Sequence, residues 1–185
     1  VRVALVATQA LLLAGDHVRL EVVAAGDVAV DIIETAGTVA YDMRGGSARW
    51  DVHVSLTGGA RLTWLGEPFI VAAGASVTRS TSLTLDAGCS LTLRESLVLG
   101  RTGEVGGSLE VTTRASYDGA PLLAEDLDLS PAGRSGPAVL GPHRCLDSIT
   151  TLGRRLADAP GVLQLDGPGS VSRWLGRDHH LSTAG

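Results

Sequence analysis

The chain contains no lysine and no asparagine, and its basic side chains other than histidine are all arginine. Without lysine there is no Walker-type phosphate lysine, no Schiff-base lysine and no Ser-Lys dyad, which removes several enzyme classes at once. Only two cysteines occur, Cys89 and Cys145, far apart and outside any Cys-x-x-Cys spacing. Neither a disulfide framework nor a zinc knuckle is indicated, and free thiols in a cytosolic protein are the simpler reading. Long apolar runs are also missing. The stretch 3–13 (VALVATQALLL) is broken by Thr8 and Gln9, shows no clear cleavage pattern and is too short to span a bilayer, so buried strands are expected there. Aromatics are scarce, with one phenylalanine, two tyrosines and three tryptophans. What is present instead is 24 glycines and many threonines and valines, the composition of a β-rich protein with many tight turns. The net charge of −5 is spread with both signs interspersed, and nothing in it suggests a nucleic-acid groove or an anionic membrane surface. No composition break divides the chain, so one domain over residues 1–185 is expected.

Period-two alternation recurs along the sequence. Val18, Leu20 and Val22 alternate after the Gly15-Asp16 turn, and Val28, Val30 and Ile32 repeat the pattern, which predicts a pair of strands. Val39, Tyr41 and Met43 alternate again after Gly37. Gly45-Gly46 then turns the chain into 49–56, where Val52, Val54 and Leu56 share a face and Asp51 and His53 take the solvated one. Residues 54–64 (VSLTGGARLTW) and 83–93 (LTLDAGCSLTL) superpose, with Val54 on Leu83 and Trp64 on Leu93. Residues 19–30 are a looser copy. A recurring strand-turn-strand module predicts a mainly β fold, with many short antiparallel strands in stacked hairpins or a β-solenoid-like double sheet and at most one or two short helices. Pro68 is expected to end one strand and to open the next or sit at an edge. Asp118-Gly119 predicts a hairpin between 108–117 and 121–129. Residues 143–152 read as a helix or a strand, the β-branched Ile149, Thr150 and Thr151 favouring the strand. Residues 154–159 read as one helical turn, and 162–165 and 170–175 as short strands.

The central stretch 91–107 (LTLRESLVLGRTGEVGG) carries the most chemistry. Leu91, Leu93, Leu97 and Leu99 lie on one face of a strand, and Glu95 stands in line with them. An ionised carboxylate left unpaired on such a face costs several kcal/mol, roughly, so Glu95 requires a partner such as Arg101, a water path or a raised pKa. Glu125 repeats the situation between Leu123 and Leu127; an edge strand whose acid reaches solvent is the alternative there. No GxSxG elbow, GxGxxG opening or HExxH helix occurs, and His53 lacks the His-x-His partner of a jelly-roll metal enzyme. The doublet His179-His180 sits in a polar tail and is expected to have no function. A hydrolase using Glu95 and Glu125 as an acid/base pair would need their carboxyls within roughly 5–10 Å in a cleft.

Gly15-Asp16 with 17–22, then 37–41 (GTVAY), 66–75 (GEPFIVAAGA), 95–107 and 118–123 (DGAPLL), in this order over most of the chain, resemble the urease accessory protein D family, also called UreD or UreH. Beside typical members this chain is a short form, reduced at both ends, and Gly103-Glu104 is offset from the family's Gly-Glu-x-Phe block and lacks the phenylalanine. The resemblance implies a β-rich, non-enzymatic cytoplasmic scaffold for urease maturation. Such a scaffold binds apo-urease and recruits a helical partner, urease accessory protein F, which docks the GTPase, urease accessory protein G. It also implies nickel handed towards the urease active site, with transient nickel and no intrinsic cofactor. Within that picture Glu95 and Glu125 are expected to line a nickel path with Glu104 beside them, because carboxylate and water ligands release a divalent ion more readily than a thiolate cage. Arg101, Asp42 and Glu67 are candidates for partner or structural contacts. A β-rich structural or interaction module without a nickel role is the alternative.

Overall fold

A computed structural model describes residues 1–136 and 139–177. In chain order its strands are β1 (Arg2–Leu5), β2 (His17–Ala25), β3 (Ala29–Glu34), β4 (Thr38–Ala40), β5 (Ala48–Thr57), β6 (Arg61–Val71), β7 (Ser76–Leu85), β8 (Ser90–Leu99), β9 (Ser108–Tyr117), β10 (Ala120–Asp128), β11 (Cys145–Leu152), β12 (Val162–Gln164) and β13 (Gly169–Gly176). No described residue is helical. The larger sheet runs β1-β3-β6-β8-β11-β13-β12 with β4 also on β6, and the smaller runs β10-β9-β7-β5-β2.

The solenoid-like double sheet is therefore the arrangement found, and the hairpins of the repeat are arches. Each glycine turn carries the chain from the smaller sheet to the larger one: β2 to β3, β5 to β6 and β7 to β8 cross the core and do not pair with each other. Copies stack in parallel instead, with Val54 opposite Leu83, Leu62 opposite Leu91 and Trp64 opposite Leu93. The looser copy pairs likewise, Arg19 opposite Asp51 and Val30 opposite Leu62. Alternation fixes which face of a strand is apolar but not which strand lies beside it. Here the apolar faces of consecutive strands meet across the core, and backbone groups are satisfied by the next copy. Among the described residues, antiparallel pairing, expected throughout, is confined to β9–β10, β8–β11, β11–β13 and β12–β13. The hairpin at Asp118-Gly119 is among these, both residues having positive φ.

Several local expectations are corrected. The stretch 3–13 is not a set of buried strands: β1 is short, Val3 is 41% and Val6 63% exposed, and Leu12 is the buried residue of the segment. Tyr41 and Met43 follow rather than extend β4, and Tyr41 is exposed. Pro68 neither ends nor opens a strand but lies inside β6, where the register slips between Leu65 and Pro68. That bulge is held by Glu34, whose carboxylate accepts the Glu67 backbone N–H at 2.9 Å and Trp64 Nε1 at 2.8 Å. Residues 154–159 form no helical turn. Their neighbourhood is bound in an open conformation, with Arg155 donating to the carbonyls of Leu165, Asp166 and Gly167 and the Leu156 N–H donating to Ser170 Oγ at 3.0 Å.

Candidate functional site

Most inward positions of the two sheets are apolar, among them Leu56, Leu62, Leu83, Leu91, Leu109 and Leu152. Towards β9 and β10 the interior turns polar. In β7 the alternation that buries Val77, Leu83 and Leu85 also points Arg79 and Thr81 inward. Arg79 meets Glu95 of β8 across the core: its Nε and Nη2 donate to Glu95 Oε1 at 3.3 and 2.9 Å, and Thr81 Oγ1 donates to the same oxygen at 3.0 Å. The two side chains are 11% and 12% exposed. The guanidinium also lies 4.9 Å from the Phe69 ring centre and 5.8 Å from that of Trp50, and the two rings pack edge to face. Glu95 thus has the partner its register demands, but the partner is Arg79 and not Arg101.

Glu125 turns inward from the edge strand β10 and is ion-paired to Arg173 of β13, so the solvent-reaching alternative does not hold. This pair, like Arg79–Glu95, links one sheet to the other. Both glutamates line one cavity of about 20 Å³, bounded also by Thr113, Ser148, Thr150 and Arg173. A space of this size holds about one water molecule. The alternation of 91–99 and 121–129 placed both acids on inward faces. It gave no warning of Arg79 and Arg173, although the same period-two count over β7 puts Arg79 in register with Val77 and Leu83.

Glu104 lies elsewhere, in the arch from β8 to β9. Its carboxylate accepts Arg101 Nε at 2.9 Å and Nη2 at 2.5 Å, the Arg101 backbone N–H at 3.0 Å and the Ala73 backbone N–H at 3.2 Å. The side-chain hydrogen bonds from Arg101, followed by its backbone N–H, lower the Glu104 pKa from 4.5 to about 2. The arch is pinned from beneath by Arg134, a buried arginine that donates to the carbonyls of Gly107, Leu129, Val105 and Gly106. Burial lowers the Arg134 pKa. Asp42 accepts the Arg44 N–H at 2.9 Å and packs over Gly74 in the neighbouring arch, on the same end of the fold as Arg101 and Glu104. Glu67 lies on the exposed side of the β6 bulge, its charge acting on Arg94, which is bound to the buried Asp147.

The solvated face proposed for Asp51 is corrected: its side chain is buried, and Oδ2 accepts His17 Nε2 at 2.7 Å and Arg49 Nε at 2.8 Å. Burial alone would raise the Asp51 pKa, but the bonds from Arg49 and His17 outweigh it and leave the carboxyl below its usual value. His53 is partly exposed on that outer face. His179-His180 lie outside the described residues. Among the described residues no three His, Cys, Asp or Glu side chains gather as a metal site, and Cys89 and Cys145 are buried and unbridged.

The sequence profile of the family described as "UreD urease accessory protein" matches residues 1–180. The chain is 48% identical over 177 residues to urease accessory protein UreD 1 of Streptomyces griseus, a match covering 94% of this chain and 69% of that protein. It is 34% identical over 187 residues to urease accessory protein UreD of Streptomyces avermitilis, covering 99% and 74%. Urease accessory protein UreD of Frankia alni is 36% identical over 194 residues, covering 90% and 65%. A match of this extent, in which the repeats, the inward glutamates and the Gly100–Arg101 arch all lie, leaves one assignment: the chain belongs to the UreD family of urease accessory proteins and is a maturation factor rather than an enzyme.

Proposed function

We propose that this chain is a non-catalytic scaffold that binds apo-urease in the cytoplasm, together with a UreF-like helical protein and, through it, a UreG-like GTPase, and helps deliver nickel to the urease active site. Family membership supplies the urease context. The observation that carries the nickel reading is that Glu95 and Glu125 both line one small cavity between the two sheets, among leucines and Val111 as well as Thr113, Ser148 and Thr150. Burying carboxylates there is costly unless each is paired, and each is, by Arg79 and by Arg173. A cation moving through must replace a guanidinium at a carboxylate, so it is held by oxygen ligands and exchanged rather than trapped. Glu104 stands on the arch outside this cavity and serves as a second-rank position on the path; Arg101, Asp42 and Glu67 are left to partner or structural contacts.

The test is urease activation by the Glu95→Gln and Glu125→Gln variants in a complete set of urease and accessory proteins. The exchange keeps size and hydrogen bonding while removing the charge. Both variants are expected to fold and to be retained with their partners, yet to lower the nickel content and activity of the urease produced. Full activation by the double variant would end the nickel-path reading while leaving the scaffold reading standing.

A further inference from the structure

The two arginines that answer the inward glutamates are not held alike. Arg79 spends two N–H groups on Glu95 Oε1 and lies against the rings of Phe69 and Trp50. Thr81 donates to the same oxygen, so Oε2 of Glu95 is unengaged among the described residues. Glu95 lines the cavity between the sheets, whereas Arg79 and Thr81 do not and bind it from outside that space. Arg173 stands in the cavity wall itself. Its bond to Glu125 comes from one nitrogen, Nη2, and reaches one oxygen, Oε2. Its Nε is buried and has no acceptor among the described residues, a cost of the closed arrangement that turning out to water relieves. The Arg173–Glu125 pair also lies nearer the surface, its side chains being 27% and 22% exposed against 11% and 12% for Arg79 and Glu95.

We propose, resting on the nickel-path reading, that Arg173 is the gate of this cavity: its guanidinium and a divalent cation compete for the Glu125 carboxylate, so the cavity is either closed by Arg173 or loaded. The space, about 20 Å³, is that of one water molecule and does not admit an ion beside a guanidinium on the same carboxylate. Charge balances the exchange. With both arginines in place the charges of the two pairs cancel, and a cation gains little by entering. With Arg173 turned outward, Glu125 is a partly buried carboxylate without a counter-charge, and a cation restores what the guanidinium gave up. Arg79 is the fixed member, since moving it breaks two hydrogen bonds and takes the guanidinium off two aromatic rings. The order of events follows. The ion is taken up at Glu125 as Arg173 leaves, and Glu95 receives it second through the unengaged Oε2, with Thr113, Ser148 and Thr150 around it.

Binding of nickel(II) to the whole chain, measured by equilibrium dialysis, tests the gate apart from urease activation. The double variant Arg173→Ala with Glu125→Gln supplies the background from the histidines. Above that background, Arg173→Ala is expected to bind at least about tenfold more tightly than the unaltered chain. Millimolar guanidinium chloride, but not sodium chloride, is expected to return the affinity of Arg173→Ala to that of the unaltered chain, because the free cation takes the place of the missing side chain. The unaltered chain gives a second reading that needs no substitution. Saturating nickel(II) is expected to expose Arg173 to modification by phenylglyoxal, read by mass spectrometry, while Arg79 stays protected. Equal binding by Arg173→Ala and the unaltered chain, no competition from guanidinium, or equal modification of Arg173 with and without nickel(II) overturns the gate and leaves the nickel path standing. Nickel(II) binding by Arg173→Ala that Glu125→Gln does not reduce removes the path, and the gate with it.

Discussion

Replacing Arg79 by methionine keeps much of the side-chain volume and removes the charge that answers Glu95. Two N–H···O contacts to Glu95 Oε1 are lost, at 3.3 and 2.9 Å, together with the stacking on Phe69 and Trp50. Thr81 still donates one bond at 3.0 Å. With both side chains nearly buried, leaving the carboxylate behind costs about 3–5 kcal/mol. Glu95→Gln removes the opposite charge but leaves a polar group within reach of Arg79 and Thr81 and leaves the guanidinium on its two rings, so a smaller loss of about 1.5–3 kcal/mol is expected. The double variant Arg79→Met with Glu95→Gln removes both charges of this pair. Its loss should fall short of the sum of the single losses by at least about 1.5 kcal/mol. Urea denaturation followed by tryptophan fluorescence reads all three, and Trp50 next to Arg79 makes the probe local. Additivity within about 0.5 kcal/mol would refute the reasoning, because it would mean the two charges do not depend on each other.

Two further predictions concern the arches. In Gly107→Ala the added Cβ would stand 2.2 Å from the Ala75 carbonyl oxygen and 2.7 Å from that of Ala72, so backbone must move; a loss of about 2 kcal/mol or more is expected, read as a lower urea midpoint. No change in the midpoint would show that the arches do not pack this closely. Glu104 has its folded pKa lowered to about 2 from 4.5, so its contribution is present above about pH 4.5 and is lost as the pH falls towards 2. Between those limits the wild type should lose stability more steeply with acid than Glu104→Gln, and equal slopes in the two proteins would contradict the Arg101–Glu104 arrangement.

The strands were legible because period-two alternation states which face is buried, and this held for β2, β5, β8, β9 and β10. The pairing was not legible. A strand, a glycine turn and a strand describe a hairpin and an arch equally well, and only the match of one repeat to the next distinguishes them: Val54 beside Leu83 is a stacking relation, not a turn relation. At the site, the inward positions of Glu95 and Glu125 were readable from their leucine neighbours. Their partners were not, because Arg79 and Arg173 come from strands of the opposite sheet, Arg79 from the strand just before β8 and Arg173 from β13, and alternation within one strand does not say what faces it across the core. Asp51 illustrates the converse. Its position on the outer face was read correctly, but His17 and Arg49 close over it, and a pattern of alternation carries no information about what long side chains cover.

Affinity capture distinguishes a chain that works as a scaffold in urease maturation from one that does not. A tagged copy is produced together with the urease subunits and the UreF-like and UreG-like proteins, and the captured material is identified and its stoichiometry measured by mass analysis. Recovery of apo-urease and the UreF-like protein in fixed proportion to the chain is the predicted result. Recovery of the folded chain alone, with urease activated equally well in its absence, would contradict the account.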